Sequence, residues 1–508
     1  MKDIKRLVLL IFLLTFVAAQ AKDLKPENSA KLRWGTDLLL YDGKVRIDFW
    51  GASYGIDDDE IDMDYFADST VLTVVACPDS TLRVFKSLNS GESWSLVEEV
   101  KFSNEITEPY VIRGSDTTYH IFCRHFFSGG DIYSASYKIS NDELIPGTSQ
   151  FLAQANDSVN SYSVCSDRGI RSNYSIFVAY AGGTESNAKI KFTKTQDRGF
   201  TWSTPTQIAT GNVSLPDITY APDSILYLAY RSFSDGKYMI RVRRSLNLGN
   251  SWGFFPFWPK TLESDSNFKM RPKIAAAYDG SGNVWVIWAK YANEWNLMWS
   301  WSQDSAVTWS TPQAANSTPE NQEILPNIMI FENPTFGLNP FVSYVRATSD
   351  WQNPIVRSFI WYSNDSAWGP DTSYADYPTS LIRPAVTMFT LFPAIAYVGE
   401  NNEKVYFDSW GNTQGIEEDI VNRKISCILD RSIATNEATL RYTLPIRGYV
   451  NVSLFNPLGQ EVRTLFEGIN EIGENTLTFT TDGLSQGIYY IVVNTPSGTG
   501  TAKLAVIK

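Results

Sequence analysis

The sequence predicts an all-β protein in two parts, a long series of repeated β-sheets followed by a small β-sandwich. Three observations support this fold class. The 508 residues include 28 Phe, 26 Tyr and 16 Trp, and aromatic side chains are enriched in β-strands. A unit of about 50 residues, built of short apolar and alternating strands, recurs along most of the chain. After Trp410 this repeat stops, and strands with different turns begin.

The first 21 residues have the three parts of a secretory signal peptide. The basic start contains Lys2, Lys5 and Arg6. An apolar core from Leu7 to Val17 follows, and the small residues of Ala19-Gln-Ala21 suit cleavage. Because this core is too short to span a bilayer, we expect an exported chain with no transmembrane segment after removal of residues 1–21.

Two markers count the repeated units. Proline fits the start of a strand, where no ladder donor is needed, and periods near 50 residues with four strands each are typical of propeller blades. The first strands begin at Ile61, Pro109, Ser161, Pro216, Pro272, Pro326 and Pro384. The apolar second strands are Leu72–Ala76, His120–Cys123, Ile176–Tyr180, Ile225–Tyr230, Val284–Trp288, Phe341–Tyr344 and Ala394–Tyr397. Both markers predict a seven-bladed β-propeller over residues 33–412.

Two strands precede the first complete unit, Leu38–Tyr41 and Val45–Trp50. We expect this stretch to pair with the last unit and close the ring, because closure removes exposed sheet edges. If the stretch were independent instead, a six-bladed propeller with one irregular unit is the alternative.

A turn motif recurs at one register within the units. In the copy that runs from Thr195 to Trp202, Asp197 can accept N–H groups across a tight turn, and Gly199 can take a positive φ. Trp202 then anchors the next strand in apolar packing. The equivalent residues are Asn89, Gly91 and Trp94; Asn247, Gly249 and Trp252; Asp304 and Trp309; and, in a shortened copy, Asp365 and Trp368.

These five copies resemble the Asp-boxes, or BNR repeats, of the sialidase-type β-propellers. The resemblance implies a propeller in which each box is a turn on the outer edge of a blade, away from the active site. It therefore bears on the fold and says little about chemistry.

The C-terminal part has short alternating strands of its own. They are Ala438–Thr443, Tyr449–Asn456, Gln460–Phe466, Glu474–Thr480, Gly487–Asn494 and Thr501–Ile507. We expect residues 413–423 to be a linker, and residues 424–508 to form a small Ig-like β-sandwich.

Residues 424–508 resemble the C-terminal sorting domains of the type IX secretion system, the Por family. The resemblance is carried by the run from Leu440 to Pro445, by Gly487 and Tyr489, and by Lys503 in the closing strand. It implies export to the extracellular space or the outer cell surface, with the type IX secretion machinery as a partner. The alternative is an Ig-like adhesion module that stays on the protein.

Charge and composition exclude several function classes. The net charge is −12 and there is no basic block, so we expect no nucleic-acid partner. The chain has 2 His and no metal-binding spacing among its 4 Cys, so we predict no metal site and no cofactor. The cysteines are expected to be buried thiols on strands.

Charged residues at the mouth of the central channel are the candidate ligand-binding groups. Two arginines precede prolines at first strands, three follow second strands, and two acids lie at first strands. Converging guanidinium groups suit a carboxylate or a sulfate. These candidates are Arg124, Arg231, Arg271, Arg346, Arg383, Glu108 and Asp217.

Sialidases bind the carboxylate of their substrate with three arginines, which makes the comparison natural. This sequence has no Arg-Ile-Pro motif of that family, and no Tyr, Glu or Asp can be matched to its catalytic motifs, so catalytic residues stay unassigned. The acidic run from Asp57 to Asp64 is interpreted as a solvated loop. Candidates for stacking on sugars are Trp50, Trp285, Trp295 and Trp351.

The sequence therefore predicts a secreted or cell-surface, sialidase-like propeller that binds a glycan or another extracellular polymer without catalysis. One alternative is a glycoside hydrolase of the exo-sialidase type, which would need converging arginines beside a Tyr–Glu pair. The other is a structural surface or adhesion protein, which would have no concave polar pocket.

Overall fold

The computed structural model describes residues 37–46, 59–66, 69–115, 117–126, 130–153, 157–167, 174–184, 187–253, 258–315, 321–333, 337–362, 367–369, 371–373, 375, 377–389, 392–409, 425–444, 448–457, 460–470, 473–495 and 498–507. Within these ranges almost all regular structure is β-strand, and no α-helix occurs. The all-β prediction is confirmed. The expected signal peptide at 1–21 and the linker at 413–423 lie outside the described residues.

Seven sheets of similar design follow one another along the chain, here numbered 1 to 7. Sheet 1 contains β2 (Ile61–Tyr65), β3 (Val71–Cys77), β4 (Thr81–Ser87) and β5 (Ser95–Lys101). Sheet 2 contains β6 (Ile106–Ser115), β7 (Thr118–His125), β8 (Asp131–Lys138) and β9 (Gln150–Phe151). Sheet 3 contains β10 (Val159–Ser166), β11 (Ile176–Gly182), β12 (Lys189–Thr195) and β13 (Thr206–Thr210).

The remaining four sheets continue this pattern. Sheet 4 contains β14 (Asn212–Ala221), β15 (Ile225–Ser234), β16 (Lys237–Ser245) and β17 (Lys260–Asp265). Sheet 5 contains β18 (Lys273–Ala276), β19 (Val284–Tyr291), β20 (Trp295–Ser302) and β21 (Gln313–Ala314). Sheet 6 contains β22 (Asn321–Asn333), β23 (Gly337–Thr348), β24 (Ile355–Tyr362), β25 (Ala367–Trp368) and β26 (Thr372–Ser373). Sheet 7 contains β27 (Ala385–Phe389), β28 (Phe392–Val398), β29 (Glu403–Ser409) and β1 (Leu38–Lys44).

The first strands of the seven sheets form a closed ring. Each packs against the first strand of the next sheet, in the order β2, β6, β10, β14, β18, β22 and β27, and β27 packs against β2 again. These strands surround a central cavity, to which all seven contribute side chains. We call the end of the ring at which the first strands begin the mouth.

Side chains on the first strands bridge neighbouring sheets. Each first strand has an edge that no strand pairs, and its N–H groups need acceptors. Asp62 Oδ2 of sheet 1 accepts the N–H of Val111 in sheet 2 at 3.0 Å. Asp217 Oδ2 of sheet 4 accepts the N–H of Ile274 in sheet 5 at 2.8 Å. The aspartate side chains of the channel therefore hold the ring together as well as line it.

The N-terminal strand closes the ring. β1 pairs with β29 in antiparallel fashion, with Leu38 opposite Phe407, and becomes the outermost strand of sheet 7. The expected pairing of Leu38–Tyr41 with the last unit is confirmed. Val45 and Arg46 of the second expected strand follow β1 outside any strand, and residues 47–50 lie outside the described ranges.

Four copies of the recurrent turn have the same hydrogen bonds, between the third and fourth strands of sheets 1, 3, 4 and 5. A Ser or Thr hydroxyl accepts the N–H four residues later, at 2.8 to 3.0 Å, in Ser87, Thr195, Ser245 and Ser302. The Asn or Asp side chain accepts another N–H, also four residues later, at 2.8 to 3.0 Å, in Asn89, Asp197, Asn247 and Asp304. These turns lie at the end of the sheets opposite to the mouth. Asp365 of the shortened copy lies outside the described residues.

The glycine and the tryptophan of these turns contact the preceding sheet. Gly249 has a φ of 79°, and a Cβ atom there would lie 2.2 Å from Phe192 Cε1. The Trp252 ring lies 5.4 Å from the Phe192 ring. Equivalent ring pairs join Trp94 to Phe407, Trp202 to Phe122 and Trp368 to Trp299. Trp309 instead donates its indole N–H to the carbonyl of Ala306 within its own turn.

The C-terminal residues form two further sheets. One contains β30 (Ser426–Leu429), β32 (Glu437–Leu444) and β35 (Gly473–Thr480). The other contains β31 (Ile433–Ala434), β37 (Gly498–Val506), β36 (Gly487–Thr495), β33 (Gly448–Phe455) and β34 (Glu461–Asn470). The two sheets share one apolar core, in which Leu440, Ile491 and Leu504 are fully buried. The six expected strands correspond to β32–β37, and the sequence missed β30 and β31.

The residues of the sorting resemblance have distinct places in these sheets. Gly487 begins β36, and Tyr489 donates its hydroxyl to the carbonyl of Ser485 at 3.0 Å. Lys503 is exposed on β37, opposite Tyr490.

All four cysteines are free thiols on strands. Cys77 and Cys123 are buried, and Cys165 and Cys427 are partly buried.

Candidate functional site

Backbone bulges shape the mouth of the ring. Glu108, Leu215 and Leu325 each precede a proline and have φ values of 49°, 54° and 54°. At each of these places the pairing of the first and second strands shifts register. A positive φ is costly for a residue with a side chain, and the αR and αL regions are crowded before proline. Strain of this kind is retained where the surrounding structure demands it.

Five of the predicted site residues meet at this mouth. Arg271 donates hydrogen bonds from Nη1 to Asp59 Oδ2 and from Nη2 to Glu108 Oε1. Arg383 donates to the second oxygen of Asp59. Arg124 Nε lies 2.8 Å from Glu108 Oε2, and Lys273 Nζ lies 3.4 Å from Asp217 Oδ1. We call Asp59, Glu108, Arg124, Asp217, Arg271, Lys273 and Arg383 the mouth network.

The mouth network is withdrawn from solvent. Arg271 is 1% and Arg383 is 2% exposed, and their carboxylate partners Asp59 and Glu108 are also buried. Burial alone would raise the pKa of Asp59, but Arg383, Lys273 and Arg271 outweigh it and hold that pKa well below its usual range. The carboxylate of Asp59 is therefore charged at neutral pH.

The other two predicted arginines lie apart from the mouth network. Arg231 donates to the carbonyl of Lys269 at 2.9 Å and to the hydroxyl of Ser214 at 3.2 Å. Arg346 pairs with Glu323 at 3.2 Å and with Asp371 at 2.5 Å.

The interpretation of the acidic run as a solvated loop is wrong for its described residues, since Asp59 and Glu60 are buried and Asp62 and Asp64 lie on β2. Asp59 is 6% and Glu60 is 0% exposed. Arg271 and Arg383 draw in Asp59, and Arg46 pairs with Glu60 at 2.9 Å. Glu60 occupies the position in its repeat unit that Glu108, Arg271 and Arg383 occupy in theirs. This alignment of the repeat units is the signal that the sequence analysis missed.

A cavity of about 260 Å³ lies inside the ring. Its polar lining includes one side chain from each of six first strands, namely Asp62, Ser163, Asp217, Lys273, Asn327 and Thr387. Burial raises the pKa of Asp62 to about 8, so this carboxyl group is protonated at neutral pH.

The tyrosines at the mouth bond to main-chain groups. Tyr110 donates its hydroxyl to the carbonyl of Tyr162 at 3.3 Å, and Tyr162 donates to the carbonyl of Glu108. Burial raises the pKa of both hydroxyls well above the usual value. Neither has the carboxylate partner that a tyrosine nucleophile of the sialidase type would need.

Two of the tryptophans proposed for sugar stacking are core residues, which corrects the prediction. Trp285 is 1% exposed and stacks on Trp301 at 5.4 Å. Trp295 is 6% exposed, beneath Phe268 and Tyr291. Trp351 is partly buried against the core of sheets 5 and 6, and Trp50 lies outside the described residues.

Within the described ranges, no group of three or more His, Cys, Asp or Glu side chains is placed to hold a metal ion. Among the same residues, no helix is long and apolar enough to cross a membrane.

Residues 434–508 match the protein family described as the secretion system C-terminal sorting domain. This protein carries a type IX sorting domain. It is secreted to the extracellular space or the outer cell surface, and the predicted localisation is confirmed.

A comparison with curated proteins finds no match. Solved structures with detectable likeness include an α-L-arabinofuranosidase of Fusarium graminearum, with 11% identity, covering 74% of this chain and 97% of that chain, with a TM-score of 0.43. A polysaccharide lyase described as an ulvan lyase has 8% identity, with coverage of 74% and 96% and a TM-score of 0.47. The Aleuria aurantia lectin has 13% identity, with coverage of 62% and 96% and a TM-score of 0.40.

Proposed function

We propose that the protein is a secreted, sialidase-like β-propeller that binds a glycan or another extracellular polymer and has no glycosidase activity at its mouth. The seven sheets and the closed ring of first strands support seven blades rather than six. The four turns with shared hydrogen bonds support Asp-box repeats. The two C-terminal sheets support an Ig-like sandwich that the type IX secretion machinery recognises.

The internal neutralisation of the mouth arginines is the observation that carries this proposal. Arg271 and Arg383 are buried and already hold the carboxylates of Asp59 and Glu108. A substrate carboxylate would have to displace one of these acids and leave it buried without its partner, which costs several kcal/mol. These two arginines therefore act as structural ion pairs rather than as binding groups for a substrate carboxylate.

The assay that tests the proposal measures hydrolysis and binding by the same purified protein. We expect no turnover of a fluorogenic sialoside, or of a panel of other aryl glycosides, above the rate without protein. On a glycan array we expect saturable binding to at least one polymer. Turnover that the Arg383→Lys variant loses, while its circular dichroism spectrum is unchanged, would contradict the proposal. Absence of both turnover and binding would also contradict it and favour a structural surface protein.

A further inference from the structure

A row of aromatic rings lies at the mouth, outside the mouth network, across sheets 4 and 5. The ring centroids of Phe233 and Tyr238 are 4.6 Å apart, and those of Tyr238 and Phe268 are 5.0 Å apart. Trp295 lies 5.9 Å from Phe268 and 5.4 Å from Tyr291. We call these five residues the aromatic row. Two turns between second and third strands, and the segment that connects the two sheets, bring them together.

Four rings of the aromatic row reach the surface, one of them exposed and three partly buried, and the fifth supports them. Tyr291 is 45% exposed, and Phe233, Tyr238 and Phe268 are partly exposed. Trp295 is 6% exposed and lies beneath Phe268 and Tyr291. The row therefore presents a run of aromatic surface rather than one isolated side chain.

Hydrogen bonds and a cation–π contact fix the centre of the row. The N–H of Tyr291 donates to the carbonyl of Phe268 at 2.9 Å, which ties the connecting segment to the end of β19. The Arg231 guanidinium lies 4.9 Å from the Phe268 ring centroid, while it also donates to the carbonyl of Lys269. Arg231 is therefore a positioning residue for Phe268. A binding surface held in this way loses little conformational freedom when it takes a ligand.

Four of the charged groups beside the row form ion pairs with one another. Lys269 Nζ lies 2.5 Å from Asp265 Oδ1. Lys290 Nζ lies 2.5 Å from Glu263 Oε1 and 2.7 Å from Asp265 Oδ2. With the neighbouring charges included, four cations and four anions leave no net charge at this place, although the chain as a whole is acidic; they are Arg231, Lys237, Lys269, Lys290, Asp235, Glu263, Asp265 and Glu294. The surface therefore suits an uncharged ligand better than an anionic one.

The small area of the row favours a polysaccharide over a protein as its ligand. Four partly exposed rings offer a few hundred Å² of apolar surface, whereas a stable protein interface buries about 800 Å² on each side. A pyranose ring needs far less area, since it places its apolar C–H face on an aromatic ring and its hydroxyl groups on neighbouring polar side chains. Exposed polar groups of this kind flank the row at Ser234, Asp235 and Ser264.

We propose that the aromatic row binds a neutral polysaccharide chain. This inference rests on the proposed function and names both the surface that carries it and the chemical class of the polymer. The bound chain lies across sheets 4 and 5, with sugar rings stacked on Tyr291 and Phe268.

Isothermal titration of the mature protein with hexasaccharides tests the inference. The ligands are neutral cellohexaose, mannohexaose, xylohexaose and arabinohexaose, and anionic hexagalacturonate. The variants are Tyr291→Ala and Phe268→Ala. The matched control is Phe200→Ala, because Phe200 is 47% exposed on a recurrent turn at the opposite end of the sheets.

We expect at least one neutral hexasaccharide to bind, with Kd raised tenfold or more by each of the two row variants and unchanged in the control. Unchanged affinity in both row variants overturns this inference and leaves the proposed function standing. Binding to hexagalacturonate alone overturns the neutral class. Binding to no glycan at all, in these titrations and on the array, overturns both. Tyr291 is exposed, so we expect the melting temperature of Tyr291→Ala to equal that of the wild type. An unchanged melting temperature distinguishes lost binding from lost folding.

Discussion

At the scale of single residues, the mouth of the ring is governed by buried charge. Arg271 and Arg383 come from sheets 5 and 7, yet both donate to the carboxylate of Asp59 in the segment that leads into sheet 1. Each ion is fully desolvated, so its stability depends on the presence of the others. The same groups that resemble a carboxylate-binding site therefore lock three sheets together.

Removal of one member should expose this dependence. We expect Arg271→Ala to lower the free energy of unfolding by about 3 to 5 kcal/mol, because Asp59 and Glu108 stay buried without it. Arg271→Lys keeps the charge but loses the two-pronged donor geometry, so we expect an intermediate loss. Chemical denaturation measures both changes.

The matched control for this prediction is an exposed ion pair. Lys44 is 3.7 Å from Glu403, and its side chain is 72% exposed. Lys44→Ala should change the free energy of unfolding by less than about 1 kcal/mol. Equal effects of Arg271→Ala and Lys44→Ala would show that the mouth network adds no stability.

The raised pKa of Asp62 predicts that the stability of the protein falls as the pH rises from about 4 to about 8. The folded carboxyl group keeps its proton up to about pH 8, whereas the unfolded one releases it near about pH 4. This contribution is therefore fully present below about pH 4 and is lost as the pH rises through about 8. Between about pH 6 and about pH 8 the free energy of unfolding should fall by about 1 kcal/mol for each pH unit.

Asp62→Asn is the control for that slope. The amide keeps an oxygen that can accept the N–H of Val111, as Asp62 does, but it does not titrate. The free energy of unfolding of this variant should not show the decrease that Asp62 causes over the same pH range. A wild-type protein with equally flat stability would refute the assignment.

At the scale of the element, the recurrent turn acts as a joint between sheets. Its side-chain oxygens satisfy the N–H groups of the turn, while its glycine and tryptophan reach the preceding sheet. The spacing of the motif allowed this hydrogen bonding to be predicted, since each residue type has a local role. Contact with the neighbouring sheet could not be predicted, because it depends on how closely the two sheets approach.

Gly249→Ala tests the joint. A methyl group at Gly249 meets a positive φ of 79° and lies 2.2 Å from Phe192 Cε1. Gly236→Ala is a matched control, since Gly236 has a φ of 73° and no atom within 4 Å of its Cβ position. We expect Gly249→Ala to be more destabilising than the control by about 1 to 3 kcal/mol in chemical denaturation. If the two variants lose equal stability, the contact with Phe192 is unimportant.

At the scale of the whole molecule, period and alternation were enough to predict the order of the strands. Seven first strands and seven second strands were found from apolar runs, and six strands of the sorting domain from alternation. Five of the seven residues of the mouth network were predicted, and Asp59 and Lys273 were missed. Asp59 pairs with Arg271 across 212 positions of the chain and with Arg383 across 324. A local sequence pattern carries no information on contacts between residues this far apart in the chain. The acidic run was therefore interpreted as solvated, although Asp59 is buried.

Closure of the ring by β1 predicts a large effect of a small deletion. A chain that starts at Val45 lacks β1 and leaves the edge of β29 unpaired, whereas a chain that starts at Gly35 keeps the strand. We expect the shorter chain to melt at least about 5 °C lower and to aggregate through the open edge. Calorimetry and light scattering measure these two effects. The same melting temperature for both chains would show that β1 is dispensable.

The place of β1 also sets an order of events in the life of the chain. Its partner β29 ends at Ser409, shortly before the sorting domain begins. The first strand of the ring to be synthesised therefore pairs with the last one. Ring closure is thus a contact of very long sequence separation, and contacts of this kind slow folding. A premature stop anywhere before Glu403 removes the closing partner and the export address together. A chain truncated there would therefore have an open ring and no sorting domain.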